Sequence, residues 1–402
     1  MGGRVFEGLV KLRLKTSNLK KYMKVAILCT NLFTIDEKNK TGSGIFDYIL
    51  IHQLAGAKRK NLDVTVFASG ESSSLPAKVE SVGFLPSSAD PKMIQNNKHI
   101  MFELALLSKA FSQQGIFDVY HVNIGDGDLI MPFAIFVKKP IVVTLHNIIN
   151  EEFTQRYFSL FNDRKNVFFV SLSNYQRKML PMLQYIDTIY HGIDTEQFGF
   201  NPVGGNDIMW AGRFIPEKGS DVAFRLAKEL GHRVKLFGII KNGYEDWFRH
   251  SIEQSAKDPQ NHSFVSLNVD FERRQLIPHF QNSKLFLLPT LFEEAFGLVF
   301  AESMACGTPV VTFARGAAPE VIRDGVTGLL VNPGDDDIRG DWVIKKTGFA
   351  GLCEAVEKIY SLSDEEYSRM RKACREHAVQ YFSAEQMAKK YIEVYEKVSV
   401  KK

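Results

Sequence analysis

Two doubly wound α/β domains facing each other across a cleft are the fold class this sequence predicts, and three features predict it. The chain has 402 residues, more than one hydrophobic core usually supports, so two domains are expected. Short apolar runs alternate with longer helical patterns almost throughout, as parallel strands joined by crossover helices require. The alternation breaks once, in the Gly- and Pro-bearing stretch from His191 to Asn206, where an interdomain linker is expected.

In chain order, the first series of strands is expected at Lys24–Cys29, Asp63–Phe67, Asp118–His121, Ile141–Leu145 and Val167–Ser171. Their near-continuous apolar character suits a sheet covered on both faces. Helical patterns fall between them, notably Ile45 to Lys58 and His99 to Phe111. The second series is expected at Ile208–Ala211, Val234–Phe237, Ser263–Ser266, Leu285–Leu288 and Pro309–Phe313. Its helices are expected at Glu217–Leu230, Tyr244–Gln254, Glu272–Gln281 and Gly297–Cys306. From Phe349 onward only helical pattern remains. There Ser383–Val398 is amphipathic, with Met387, Tyr391, Val394 and Tyr395 on one side. The expected divisions are a basic extension (1–22), a first domain (23–195), a second domain (196–382) and a terminal helix (383–402).

Composition excludes several classes. Hydrophobic content of 45% and charged content of 24% are those of an ordinary globular protein. No apolar run approaches the ~20 residues of a membrane-spanning helix; the longest, Leu129–Val137, is broken by Pro132 and is expected to be buried structure. Cys29, Cys306, Cys353 and Cys374 form no C-x-x-C pair, so reduced thiols in a cytoplasmic protein are expected rather than a zinc site. A net charge of +4 is too weak to point to nucleic acid. Arg4, Lys11, Arg13, Lys15, Lys20 and Lys21 face the single acid Glu7 and are interleaved with Val5, Phe6, Leu9, Leu12 and Leu14. Two readings stay open there: a plain extension, or a basic amphipathic helix in peripheral contact with an anionic membrane. Lys58-Arg-Lys60 is open to the same pair of readings, membrane contact or ordinary charge at a helix end. A secretory signal is not expected, for want of a sustained apolar segment and a small-residue cleavage site.

Chemistry concentrates in four places. From Pro289 to Val311 a buried strand should give way to an acidic loop and then to a helix opening near Gly297. The first-turn amides of such a helix form an anion site, and glycine admits a ligand close to the backbone. Glu294 precedes that helix and Glu302 lies eight residues later; both carboxylates suit sugar or ribose hydroxyls. From Trp210 to Gly219 a strand, turn and helix start should project Arg213 and Lys218, two cations fit for a diphosphate. His146 follows the strand Ile141–Leu145, at the end that faces a cleft in open α/β sheets. Gly42 and Gly44 precede the first helix, yet they form no G-x-G-x-x-G fingerprint, which disfavours a nicotinamide dehydrogenase.

Glu294 to Glu302 reproduces the E-x7-E spacing of retaining glycosyltransferases, and the sequence around it resembles glycosyltransferase family 4. The resemblance runs from Met23 to the tail and is strongest in the second half. It implies the GT-B fold: two Rossmann-like domains facing across a cleft, with a C-terminal helix crossing back to the first. It further implies metal-independent, retaining transfer of a hexose-type sugar from a nucleoside diphosphate to a glycan, glycolipid or small-molecule hydroxyl, without a cofactor. UDP ranks ahead of GDP on family frequency alone. By matching position, Glu294 and His146 would meet the donor sugar, Glu302 the ribose, and Arg213 and Lys218 the diphosphate. The backbone of Phe296, Gly297 and Leu298 would lie against sugar and diphosphate. Gly42 and Gly44 would border the phosphates, although the family often has paired glycines where this chain has Gly-Ser-Gly.

Segments at Ser173–Arg177, His191–Asp194 and Pro319–Glu320 also match the family and are expected to be architectural. Asp126-Gly-Asp128 and Asp335-Asp-Asp337 are formally D-x-D, the metal motif of the other large glycosyltransferase fold. Metal ligation is not expected of so short a motif, while acceptor contact by Asp126 and Asp128 stays open. Epimerase or phosphorylase chemistry on the same fold, or sugar-nucleotide binding without catalysis, are the alternatives.

Overall fold

The structure, a computed structural model, describes residues 22–56 and 61–400. The basic extension up to Lys21 and the Lys58–Lys60 cluster, with the two readings left open for each, lie outside the described residues. Among the described residues no helix is long and apolar enough to cross a membrane.

The first sheet has seven strands: β1 (Met23–Leu28), β2 (Leu62–Phe67), β3 (Lys78–Glu80), β4 (Val119–Val122), β5 (Ile141–Thr144), β6 (Val167–Ser171) and β7 (Tyr185–Thr188). The second has six: β8 (Asp207–Phe214), β9 (Val234–Ile240), β10 (Val265–Val269), β11 (Ser283–Leu288), β12 (Val310–Phe313) and β13 (Gly328–Val331). Their orders are β3-β2-β1-β4-β5-β6-β7 and β10-β9-β8-β11-β12-β13, with parallel pairing throughout. In each sheet the order reverses beside the first strand of its domain, and ligands bind at such switch points. Apolar runs such as Val25–Leu28, Val142–Val143 and Leu285–Leu288 are buried on both faces, which is why the sequence announced them.

All ten expected strands are present, with their ends shifted by a few residues. The three unforeseen ones, β3, β7 and β13, are all edge strands, three or four residues long. β3 (Lys-Val-Glu) and β7 (Tyr-Ile-Asp-Thr) carry charged and polar residues, as edges commonly do, and so lack an apolar run. Some helices also differ from expectation. Gly219, at φ 67°, delays the expected Glu217–Leu230 helix to Ser220. Tyr244–Gln254 is interrupted by a π turn over Arg249–Glu253. Leu129–Val137 folds as short 3-10 turns that bury Ile130 and Ala134 but leave Ile135 and Phe136 exposed, so only half of that run is core.

The terminal helix Ala384–Val400 packs on the first domain, as expected. Met387, Tyr391, Val394, Tyr395 and Val398 share a core with Val25, Ile27, Phe46 and Leu50. His121, fully buried, hydrogen-bonds the Tyr395 hydroxyl at 2.7 Å and the Thr144 hydroxyl at 2.8 Å; Thr144 meets the Tyr391 hydroxyl at 2.9 Å. The two passages of chain between domains touch each other. The Ile193 amide donates to Phe382 O and the Ala384 amide to Ile193 O, both at 2.8 Å. A Cβ on Gly192 would lie 2.7 Å from Ala384 Cα, so only glycine permits this approach. Elsewhere the Glu320 carboxylate of the second domain accepts from the Asn174 and Tyr175 amides at 2.8 and 2.6 Å, capping a helix of the first. Arg274 reaches Glu37 at 2.6 Å across the domain boundary.

Asp47, in the first helix (Gly42–Ala55), is 1% exposed and accepts from Asn123 Nδ2 at 2.7 Å. Burial pushes its carboxyl up to about 8. The folded value exceeds the unfolded ~3.9, so its stabilising contribution is full below pH ~4 and is lost as pH rises towards 8, at up to about 1.4 kcal/mol per unit. His121 and His146 act oppositely, since burial lowers them to about 3 and about 4. They weaken the fold only as pH drops below ~6.5. Asp47→Asn is therefore expected to flatten the decline in urea-melt stability between pH 6.5 and 8. A wild-type slope in the variant would refute the assignment.

Candidate active site

Nine of the ten sequence-predicted site residues line one cleft of about 490 Å³ between the domains: Gly42 and His146 from the first, Arg213, Lys218, Glu294, Phe296, Gly297, Leu298 and Glu302 from the second. Gly44 is the exception. It is buried in the first turn of its helix, where a Cβ would collide with the Asn39 carboxamide and the Phe33 ring. Its bareness lets the preceding loop fold onto the helix, so the structure puts it in packing and outside the cleft lining where the donor-binding expectation had it.

On the second domain the helix start that the sequence suggested is present. The helix Leu298–Ala305 opens after Gly297, at φ 88°, with no side chain capping it. A Cβ at Gly297 would run into the Phe300 ring, and a left-handed backbone is strained for any other residue. The first-turn amides therefore remain available on the cleft side.

Two loops are laced together beside that helix. The Leu291 amide donates to Glu217 O at 2.7 Å, the Thr290 hydroxyl donates to the same oxygen at 3.2 Å, and Trp210 Nε1 donates to Lys218 O at 3.0 Å. A Cβ on Gly219 would press on Pro289 O, so this contact also needs glycine. The lacing brings Lys218, only 9% exposed, into an ion pair with Glu294. Of the two cations that the sequence suggested for a diphosphate, one is paired and one is free among the described residues. Arg213 is exposed and has no ion-pair partner among the described residues. Glu302, 2% exposed, accepts from Arg273 Nε at 2.7 Å.

Arg273 was not foreseen. It sits in a 3-10 turn, and nothing in local spacing ties position 273 to position 302. Lys40, an exposed cation on the first-domain wall, was missed for the same reason.

The opposite wall carries imidazoles. Asp126 Oδ1 accepts from the His146 and Asn147 amides at 2.7 and 2.9 Å, and Oδ2 from Asn147 Nδ2 at 2.9 Å. This D-x-D acid thus shapes the turn that presents His146. Asp337 of the other acidic run bonds Arg315 and Arg339. Both ring nitrogens of His146 are buried without a partner among the described residues, and burial lowers the ring to about 4, so it is neutral at neutral pH. His191, 5% exposed, also lines the cleft, so its expected architectural role is incomplete. Burial, then His146 and Arg273, hold it well below the usual histidine range. Such a cleft sets Arg213 and Lys218 on one side and, on the other, two uncharged imidazoles with the exposed Lys40 at their wall.

Residues 193–340 match the family described as Glycosyl transferases group 1, a stretch that includes every second-domain site residue named above. The chain is 29% identical over 224 residues to D-inositol 3-phosphate glycosyltransferase of Mycolicibacterium smegmatis, covering 53% of this chain and 46% of that protein. The same-named protein of Mycobacterium leprae is 31% identical over 157 residues, 36% of each chain. The match thus spans less than half the length of these curated relatives. Among solved structures, sucrose-phosphate synthase from Thermosynechococcus elongatus superposes with a TM-score of 0.69 at 17% identity, covering 94% of this chain and 99% of the other. Anabaena HepE in complex with UDP and glucose gives 0.69 at 18%, covering 94% and 100%. The fold is GT-B.

Proposed function

We propose that the protein is a retaining glycosyltransferase of family 4 type. It moves a hexose-type sugar from a nucleoside diphosphate, a UDP-sugar ahead of a GDP-sugar, to a hydroxyl of a glycan, glycolipid or small molecule, without metal. One observation carries this reading: an uncapped helix start, unpaired Arg213 and the Lys218–Glu294 pair converge on a single interdomain cleft. As the bond from anomeric carbon to phosphate oxygen breaks, the departing diphosphate gains charge. Arg213, Lys218 and the amides of Leu298 and Val299 then stabilise it more than they stabilise the bound donor. The acceptor oxygen bonds to the anomeric carbon, and its proton passes to the leaving phosphate. Glu302, held by Arg273, takes the ribose role that the family resemblance implies, and its place in the cleft lining supports that reading. The same reading puts the enzyme in the cytoplasm, where its four free cysteines stay reduced.

The test is incubation with UDP- and GDP-sugars and hydroxyl acceptors, with and without EDTA, followed by mass spectrometry and NMR of the anomeric proton. A new glycoside of unchanged anomeric configuration and equimolar nucleoside diphosphate, insensitive to EDTA, is expected. An isomeric nucleotide sugar as sole product would assign an epimerase instead. An inverted glycoside would remove the retaining assignment.

A further inference from the structure

We propose that His191 is a sugar-binding residue: with His146 it forms a two-imidazole seat for the hydroxyls of the transferred pyranose. The inference rests on the donor-site reading above and goes beyond it.

Three buried ring nitrogens, Nδ1 and Nε2 of His146 and Nδ1 of His191, have no hydrogen-bond partner among the described residues. Buried polar atoms are nearly always satisfied, and one left bare is costly. Three bare atoms on two adjacent rings that both line the cleft mark a place where ligand atoms complete the bonding. The rings stand 6.2 Å apart and each meets Phe46 edge-on, at 5.0 and 5.2 Å. Phe46 is fully buried, so it is a fixed floor for both. His191 is further held by Phe296 at 5.4 Å, and its neighbours Gly192 and Ile193 are pinned against Ala384.

The chemistry selects a hydroxylated ligand over phosphate. Burial keeps both rings uncharged, and an uncharged imidazole offers one donor and one acceptor, matching a hydroxyl that both donates and accepts. Phosphate seeks cations, and Arg213, Lys218 and the open helix start lie on the other wall; on the imidazole wall the one lining cation among the described residues, Lys40, is an exposed side chain, whereas the two rings are buried. Phe296 bridges the two walls, since it neighbours Gly297 and also contacts His191.

Thermal shifts of the full chain with UDP, GDP, UDP-glucose, UDP-N-acetylglucosamine and GDP-mannose give the test. In the wild type, at least one nucleotide sugar is expected to stabilise more than its parent diphosphate. His191→Phe keeps a ring against Phe46 and Phe296 but removes both nitrogens. It is expected to abolish that sugar-dependent increment, leave the diphosphate shift unchanged and raise the donor KM at least tenfold. His191→Asn, which retains a donor and an acceptor, is expected to recover part of the increment. Should phenylalanine disturb the ligand-free melt, His191→Leu provides the same comparison. A full sugar increment in the nitrogen-free variant overturns the proposal. A wild type stabilised by no diphosphate overturns the donor-site reading itself, a failure distinguishable from the first.

Discussion

Lys218→Ala and Glu294→Ala are each expected to lower turnover at least tenfold while the protein stays folded, a loss of about 1.4 kcal/mol or more of transition-state stabilisation. The two side chains form an ion pair at the cleft wall, with Lys218 also 5.1 Å from the Phe292 ring centre. Removing the lysine subtracts a cation and leaves a carboxylate facing the diphosphate, so the loss should appear chiefly as the leaving group gains charge. Removing the glutamate frees the lysine to grip the diphosphate in the ground state as well, which lowers turnover more than it weakens binding. Because the residues touch, the double variant should lose less than the sum of the two single losses. Steady-state kinetics of the three variants, with circular dichroism as the folding control, decides it. Wild-type turnover in both single variants would remove the site assignment.

Arg371→Ala is expected to destabilise the second domain on the order of 3–5 kcal/mol, from several buried carbonyls left without a donor and from the cavity opened. Arg371 is fully buried. It donates to Asn201 O at 2.8 Å, Gln281 O at 3.0 Å, Cys306 O at 3.2 Å and Ser283 O at 3.2 Å, and to the Tyr367 hydroxyl at 3.1 Å. No carboxylate is among these partners; the cation is met by carbonyls, two of them at helix ends. Truncation would leave those oxygens bare and open a cavity. Against a typical total of about 5–15 kcal/mol, that is a large share of the fold's stability. Lysine should rescue little, since it lacks the planar fork that reaches several carbonyls at once. Urea melts measure the effect, and a loss below about 1 kcal/mol would contradict it.

What the sequence disclosed follows from where its signals originate. Buried parallel strands must be apolar on both faces, so β1, β2, β5, β6 and β11 could be read directly. Edge strands β3 and β7 carry no such requirement and went unseen, as did β13, which is buried and apolar but only four residues long. Residues fixed by local backbone needs, such as Gly297 and the turn at Gly219, were also legible. Partnerships across sequence were not. Glu302 with Arg273, Lys218 with Glu294, and Asp126 under His146 are separated by 29, 76 and 20 positions and arise from packing. Gly44, the one motif glycine outside the cleft lining, shows why: a bare Cα serves ligand approach and close packing equally, and the neighbouring Asn39 and Phe33 are visible only in the fold.

The dependence of the first lobe on Tyr391 and Tyr395 also orders events during synthesis. His121 waits for a partner 274 positions downstream, so the amino-terminal sheet leaves the ribosome with one flank of its core uncovered. The second lobe, built from one continuous stretch, has no such gap and can close as it is made. The half translated first is therefore the half completed last, and a chain lacking its final helix would expose the apolar flank around Phe46 and Leu50 to other nascent proteins.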